Sequence, residues 1–195
     1  MTTVDFFFDP SCPWTWVTSR WLTHVAEQRP IEIRWRPISL LLKNGDDASD
    51  EMREEHEIGL LAARVAIAAG HTGGNEAVAD FYSAFGTANF GDEGSPDLAE
   101  VVASTGLPSD LERAATDAKH DTAIEANAVD AEKMAGADAG SPVLAVDDVG
   151  RGTFGPVLGS APTGSAAGEL WDHVVALLAS PQFYELTMER RSQPH

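Results

Sequence analysis

Val4-Asp5-Phe6-Phe7-Phe8-Asp9-Pro10-Ser11-Cys12-Pro13-Trp14-Thr15-Trp16 is the stretch that decides the fold. Val4 to Phe8 is too apolar on both alternating faces for a half-exposed strand, so it predicts an interior strand covered above and below. Pro13 suits a first helical position, where the missing N–H would have had no partner. From there Trp14, Val17, Trp21, Leu22 and Val25 recur at helical spacing up to Gln28. Pro30 ends this helix. Ile31-Glu32-Ile33-Arg34-Trp35-Arg36 then alternates as an edge strand with one wet face, and Pro37 stops it. The opening is β-α-β, and the right-handed crossover rule makes its two strands parallel.

Beyond it, from about Ser49 to Asp138, the pattern becomes alanine-rich helical periodicity with no convincing strand. Helices are expected over 50–69, 75–87, 96–105, 108–117 and 119–138. They are separated by His71-Thr72-Gly73-Gly74, by Gly91 to Pro96 and by Gly106-Leu107-Pro108. Strand character returns at Val143-Leu144-Ala145-Val146, followed by a turn at Asp147 to Gly150 and by Thr153-Phe154, which reads as a hairpin. A last helix buries Ala167, Leu170, Trp171, Val174, Leu177 and Leu178, and the tail after Pro181 is peripheral. The order predicts an α/β protein: a thioredoxin-like fold with a large all-helical insertion between its β-α-β and β-β-α halves. Residues 1–48 and 139–195 form the thioredoxin-like domain, and 49–138 the helical insertion subdomain.

With 195 residues and 43% apolar content the chain can bury a full core. Its 31 acidic residues against 13 Lys plus Arg give a formal charge of -18, which argues against nucleic acid or an anionic membrane as partner. A single cysteine excludes an internal disulfide and fits a reducing compartment. Only Met1 to Thr3 precede the first strand, which leaves no room for a signal peptide. No apolar run approaches the roughly 20 residues needed to cross a bilayer. A cytoplasmic protein is expected. The histidines at 24, 56, 71, 120, 173 and 195 lack metal-ligand spacing and read as surface or structural, so no metal is expected.

The chemistry gathers at Cys12. If Pro13 opens the helix, Cys12 is its N-cap, and the backbone N–H groups of Trp14 and Thr15 can hydrogen-bond the sulfur. Those donors and the helix dipole favour a thiolate, and thiols so placed titrate between roughly 3.5 and 7.5 instead of about 8.5. The Thr15 hydroxyl offers a third donor. A lone cysteine is often a small buried hydrophobe, but a packing cysteine has no reason to precede a helix-opening proline. Trp21 reads as core, whereas Trp14, beside the thiol, reads as lining a substrate surface. In Gly140-Ser141-Pro142 the proline cannot donate to a ladder, so it belongs at the first residue of a strand or in a special turn.

Phe8 to Trp16, the long helical interruption and Gly140-Ser141-Pro142-Val143 resemble the DsbA-like branch of the thioredoxin superfamily over nearly the whole chain. Arg64-Val65-Ala66-Ile67-Ala68-Ala69, Phe154-Gly155-Pro156-Val157-Leu158 and Leu170-Trp171-Asp172 resemble the actinobacterial mycothiol-dependent nitroreductases. The resemblance implies a cis proline at Pro142 facing Cys12, and mycothiol or another low-molecular-weight thiol as a loosely bound cofactor. It also implies an electrophilic or disulfide substrate and admits a homodimer. Where a dithiol oxidoreductase has its resolving cysteine, this chain has Thr15. A redox cycle must therefore run through a mixed disulfide between Cys12 and a small thiol or a protein substrate, resolved by a second thiol molecule, with Pro13, Trp14 and Thr15 as activators and Ser141 and Pro142 as the thiol-binding loop. The alternative is the similar kappa-class glutathione transferase and 2-hydroxychromene-2-carboxylate isomerase group, in which the enzyme activates a bound cofactor thiol.

Overall fold

The structure, a computed structural model, describes residues 1–45, 50–91, 96–189 and 192–194, and of 50–52 the backbone only. Four strands form one sheet in the order β2-β1-β3-β4: β1 Thr2–Phe8, β2 Ile31–Pro37, β3 Val143–Val146 and β4 Arg151–Phe154. The apolar run of β1 accordingly lies in the interior, with Val4, Phe6, Phe7 and Phe8 all buried. β2 is an edge, and its alternation leaves Glu32 and Arg34 outward of Ile31 and Trp35. Thr2 N–H donates to the Pro30 carbonyl at 3.0 Å and Ile38 N–H to the Phe8 carbonyl at 2.8 Å, so like ends meet and β1 and β2 run parallel. β3 and β4 form the expected antiparallel hairpin, Val143 facing Phe154 and Val146 facing Arg151.

The chain divides into two compact units, one of residues 1–6, 13–34 and 131–195, the other of 7–12 and 35–130. The expected division at 48/49 falls among residues 46–49, outside those described, as do 92–95 of the Gly91 to Pro96 separator.

In the first unit α1, Pro13–Ala26, packs on α6, Gly164–Leu178. Val17, Trp21, Leu22 and Val25 are buried as the spacing predicts. The Trp21 indole N–H donates to the Ala167 carbonyl at 3.1 Å, satisfying the one polar atom of a fully buried ring. Asp172 on α6 takes both arms of Arg29, at 3.0 and 2.6 Å. The apolar stripe of α6 is narrower than expected: Ala167, Trp171 and Leu178 are buried, but Leu177 is exposed.

The second unit is largely helical: α2 Leu40–Asn44, α3 Asp50–Asn89, α4 Leu98–Ser104, 3-10 segments Ser109–Thr116 and Ala118–His120, and α5 Asp121–Ala135. Three expectations change here. α2 is too short to show periodicity in the sequence and is held by its cap, the Ser39 hydroxyl accepting from Leu42 N–H. The two helices expected over 50–69 and 75–87 are both present within α3, running on to Gly73 and Asn89 and separated by the break at Gly74, whose φ of 71° is open to glycine at no steric cost. The stretch 108–117 is 3-10 instead of α, and 119–138 shortens to α5.

Alanines 62, 63, 66 and 69 bury one face of α3 closely. On another face Arg64 donates to both oxygens of Asp121, at 2.6 and 2.8 Å, and to the Ala115 carbonyl at 3.1 Å. One guanidinium thus fastens α5 and a 3-10 segment to α3. Phe8 stacks on Tyr82 with ring centres 4.0 Å apart and meets Trp35 edge-on at 6.1 Å.

Candidate functional site

Asp9, Pro10, Ser11 and Cys12 make the turn between β1 and α1, closed by Cys12 N–H donating to the Asp9 carbonyl at 3.1 Å. The Asp9 side chain holds the turn in shape. Its Oδ1 accepts from Ser11 N–H at 2.8 Å and from Ser11 Oγ–H at 2.7 Å, and its Oδ2 accepts from Leu40 N–H at 2.7 Å. Asp9 is fully buried, and burial is the largest influence on it, pushing its pKa up; the three hydrogen bonds and the charge of His56 pull it back. Gly59 of α3 makes room for the turn, since a Cβ there would lie 2.5 Å from Ser11 Oγ and 2.6 Å from Asp9 Oδ1. Cys12, the chain's one cysteine, is half-buried and so within reach of a reagent.

α1 opens at Pro13, directly after Cys12, and its first-turn N–H groups lack intrahelical acceptors. Trp14 is partly exposed. Thr15 is fully buried, and its Oγ1 lies 2.7 Å from Ser141 Oγ, a contact in which either hydroxyl can donate. The structure thereby brings together Thr15 and Ser141, two of the residues singled out in the sequence. The Ser141-Pro142 peptide is cis, as the resemblance implies, and the Pro142 carbonyl accepts from Gly155 N–H at 2.8 Å.

Sequence reading missed a second cis peptide, Gly155-Pro156, beside which the Pro156 carbonyl accepts from Thr18 Oγ1 at 2.8 Å. Phe154 to Leu158 carried the resemblance, but nothing in its spacing signalled this conformation. The Asp9 and Gly59 contacts were missed too, because they join positions fifty residues apart.

The histidines include one pair. The His71 and His120 rings lie 6.0 Å apart beside an open cavity of about 480 Å3 on the helical unit, lined also by Pro108, Leu111 and Arg113. Among the described residues no group of three or more His, Cys, Asp or Glu could hold a metal ion, and no helix is long and apolar enough to cross a membrane.

A β-α-β unit whose first turn carries the one cysteine, a helix opened by proline and a cis proline ahead of a β-hairpin together define the DsbA-like class of thioredoxin-fold oxidoreductases. Solved structures agree on the fold. The cytosolic disulfide reductase DsbM from Pseudomonas aeruginosa superposes with a TM-score of 0.59 at 15% identity, over 90% of this chain and 99% of that one. DsbA from Mycobacterium tuberculosis gives a TM-score of 0.55 at 16% identity, over 87% and 88%. Residues 11–188 match the family described as Mycothiol-dependent nitroreductase Rv2466c, and the chain belongs to this Rv2466c-like enzyme family. It is also 33% identical over 191 residues to the uncharacterized protein Rv2286c of Mycobacterium tuberculosis, a match covering 95% of this chain and 81% of the relative.

Proposed function

We propose that the protein is a cytoplasmic monothiol oxidoreductase in which Cys12 is the nucleophile and a small thiol, mycothiol or a chemical equivalent, is the co-substrate. The observation that carries this reading is Thr15. At the position of a resolving thiol stands a buried hydroxyl bonded to Ser141, and no second cysteine exists in the chain. Cys12 is half-buried, which suits a thiol that must meet a soluble partner. In this reading Pro13 opens the helix, the Trp14 and Thr15 amides stabilise the thiolate, Trp14 lines the substrate, and Ser141 and Pro142 bind the thiol.

The chemistry balances without a second protein thiol. Cys12 thiolate attacks one sulfur of a disulfide, that S–S bond breaks, and the departing thiolate takes a proton. A small thiol then attacks the mixed disulfide, forming a new disulfide and returning Cys12 as thiolate. For a nitro compound, which the family description suggests, each oxygen lost as water consumes two thiols and yields one disulfide.

Incubation with oxidised mycothiol or oxidised glutathione, followed by intact mass spectrometry, is expected to give one adduct, absent from Cys12→Ser. No adduct on the native protein, or full disulfide reduction by Cys12→Ser, would overturn the reading. Thiol transfer to an electrophile surviving in Cys12→Ser would favour the kappa-class mechanism instead.

A further inference from the structure

α3 meets the turn that carries Cys12 at Gly59. Further along the same helix, about 18 Å from Gly59 at the usual rise per residue, His71 lines the open cavity of about 480 Å3 that α3 shares with the 3-10 segments Ser109–Thr116 and Ala118–His120. A volume of that order accommodates a small organic molecule. The helical unit thus carries a concave site of its own, away from the thiol turn.

His120 is 5% exposed and lines this cavity, and among the described residues its ring nitrogens make no hydrogen bond. A polar side chain so deeply buried ordinarily has a partner. The exposed His71 ring stands 6.0 Å from it, centre to centre, which puts one bound group within hydrogen-bond reach of both. Arg113, exposed on the same rim, makes no ion pair among the described residues, whereas Arg29, Arg34, Arg36, Arg64 and Lys119 each hold a carboxylate. The acidic groups of the rim do not satisfy these donors. Asp117 is bonded through one oxygen to Lys119 Nζ at 2.7 Å and through the other to Lys119 N–H at 3.1 Å, and Asp110 is exposed to water. Pro108 and Leu111 add an apolar wall.

We infer that this cavity binds a small phosphate monoester. His71, His120 and Arg113 donate to the terminal phosphate oxygens, and Pro108 and Leu111 receive the organic part of the ester. Three separate donors suit a tetrahedral group with three free oxygens better than a carboxylate with two, and the guanidinium makes its bonds charge-assisted and correspondingly strong. Binding here does not depend on Cys12 being the nucleophile.

Phenyl phosphate is the probe, followed by NMR through the histidine ring signals at about pH 6.5, near the ordinary histidine value. The His71 and His120 signals should shift saturably with a Kd of about 1 mM or tighter, while those of His24 and His173 stay in place. Arg113 is exposed, so Arg113→Gln should leave the fold intact and weaken binding about tenfold or more, and Arg113→Lys should weaken it less because the charge is kept. Benzoate, with the same apolar body and one oxygen fewer, should bind more weakly than phenyl phosphate. Signals that do not move, signals that move for all histidines alike, equal binding by Arg113→Gln or benzoate bound as tightly would each sink the inference.

A second measurement needs no variant. With phenyl phosphate at saturation the His120 ring should titrate at a higher pH than without it, because the bound dianion favours the charged imidazole that burial disfavours. An unchanged titration would refute contact between the phosphate and His120.

Discussion

At Gly59 one methyl group would land 2.5 Å from Ser11 Oγ and 2.6 Å from Asp9 Oδ1, closer than bonded partners can yield without moving. Gly59→Ala should therefore destabilise the protein by about 1–3 kcal/mol, the usual cost of overpacking a tight contact. It should also change the Cys12 alkylation profile, since the turn that carries the thiol must shift. Chemical denaturation and alkylation kinetics on the same sample check both; an unchanged denaturation midpoint would mean that α3 stands back from the turn. None of this was legible beforehand. Cys12 and Pro13 were marked in the sequence because their chemistry is local, one thiol at a helix start, whereas the cis Ser141-Pro142 peptide was implied only by the family resemblance. Asp9 is acidic and next to a proline, which reads as an ordinary turn until its burial is known.

At the scale of elements, the helical unit carries a pH dependence that belongs to His120. Burial is the largest cause holding its pKa below the ordinary 6.5, with Lys119, His71 and Arg64 adding to it and Asp117 opposing. A histidine whose folded value is depressed contributes stability that is whole above 6.5 and is lost as pH falls from there through the folded value, because the unfolded chain then binds more protons. The melting temperature of the native protein should fall between pH 7 and pH 5 more steeply than that of His120→Gln. Parallel curves would show that His120 is not the group responsible. The same unit shows why element boundaries were partly unreadable. α2 spans five residues and owes its existence to the Ser39 cap and its packing on α3, and the 3-10 segment 109–116 differs from an α-helix by a hydrogen-bond choice that composition does not encode.

For the whole molecule the dominant property is the formal charge of -18. It should make Cys12 react more slowly with anionic than with neutral reagents of the same size, and the penalty should vanish with salt, whose screening length falls from about 30 Å at 0.01 M to about 3 Å at 1 M. The ratio of iodoacetate to iodoacetamide rates is expected to rise at least about threefold over that range. A ratio independent of salt would mean that the field at the thiol is local and not that of the whole molecule.

By itself the sequence determined the order of strands and helices, the interior place of β1, the edge place of β2, the lone thiol before a helix-opening proline and the kinship with a thiol-dependent family. The kinship rests on resemblance; the other features follow from periodicity, from proline's missing donor and from counting cysteines, all of which are local. Only the tertiary structure decided that Thr15 meets Ser141, that Gly155-Pro156 is cis, and that Asp9 is sealed beneath Gly59. Burial and long-range contact set these. A side chain's hydrogen-bond partner and its solvent depend on residues far away in the chain, and no window of sequence contains both.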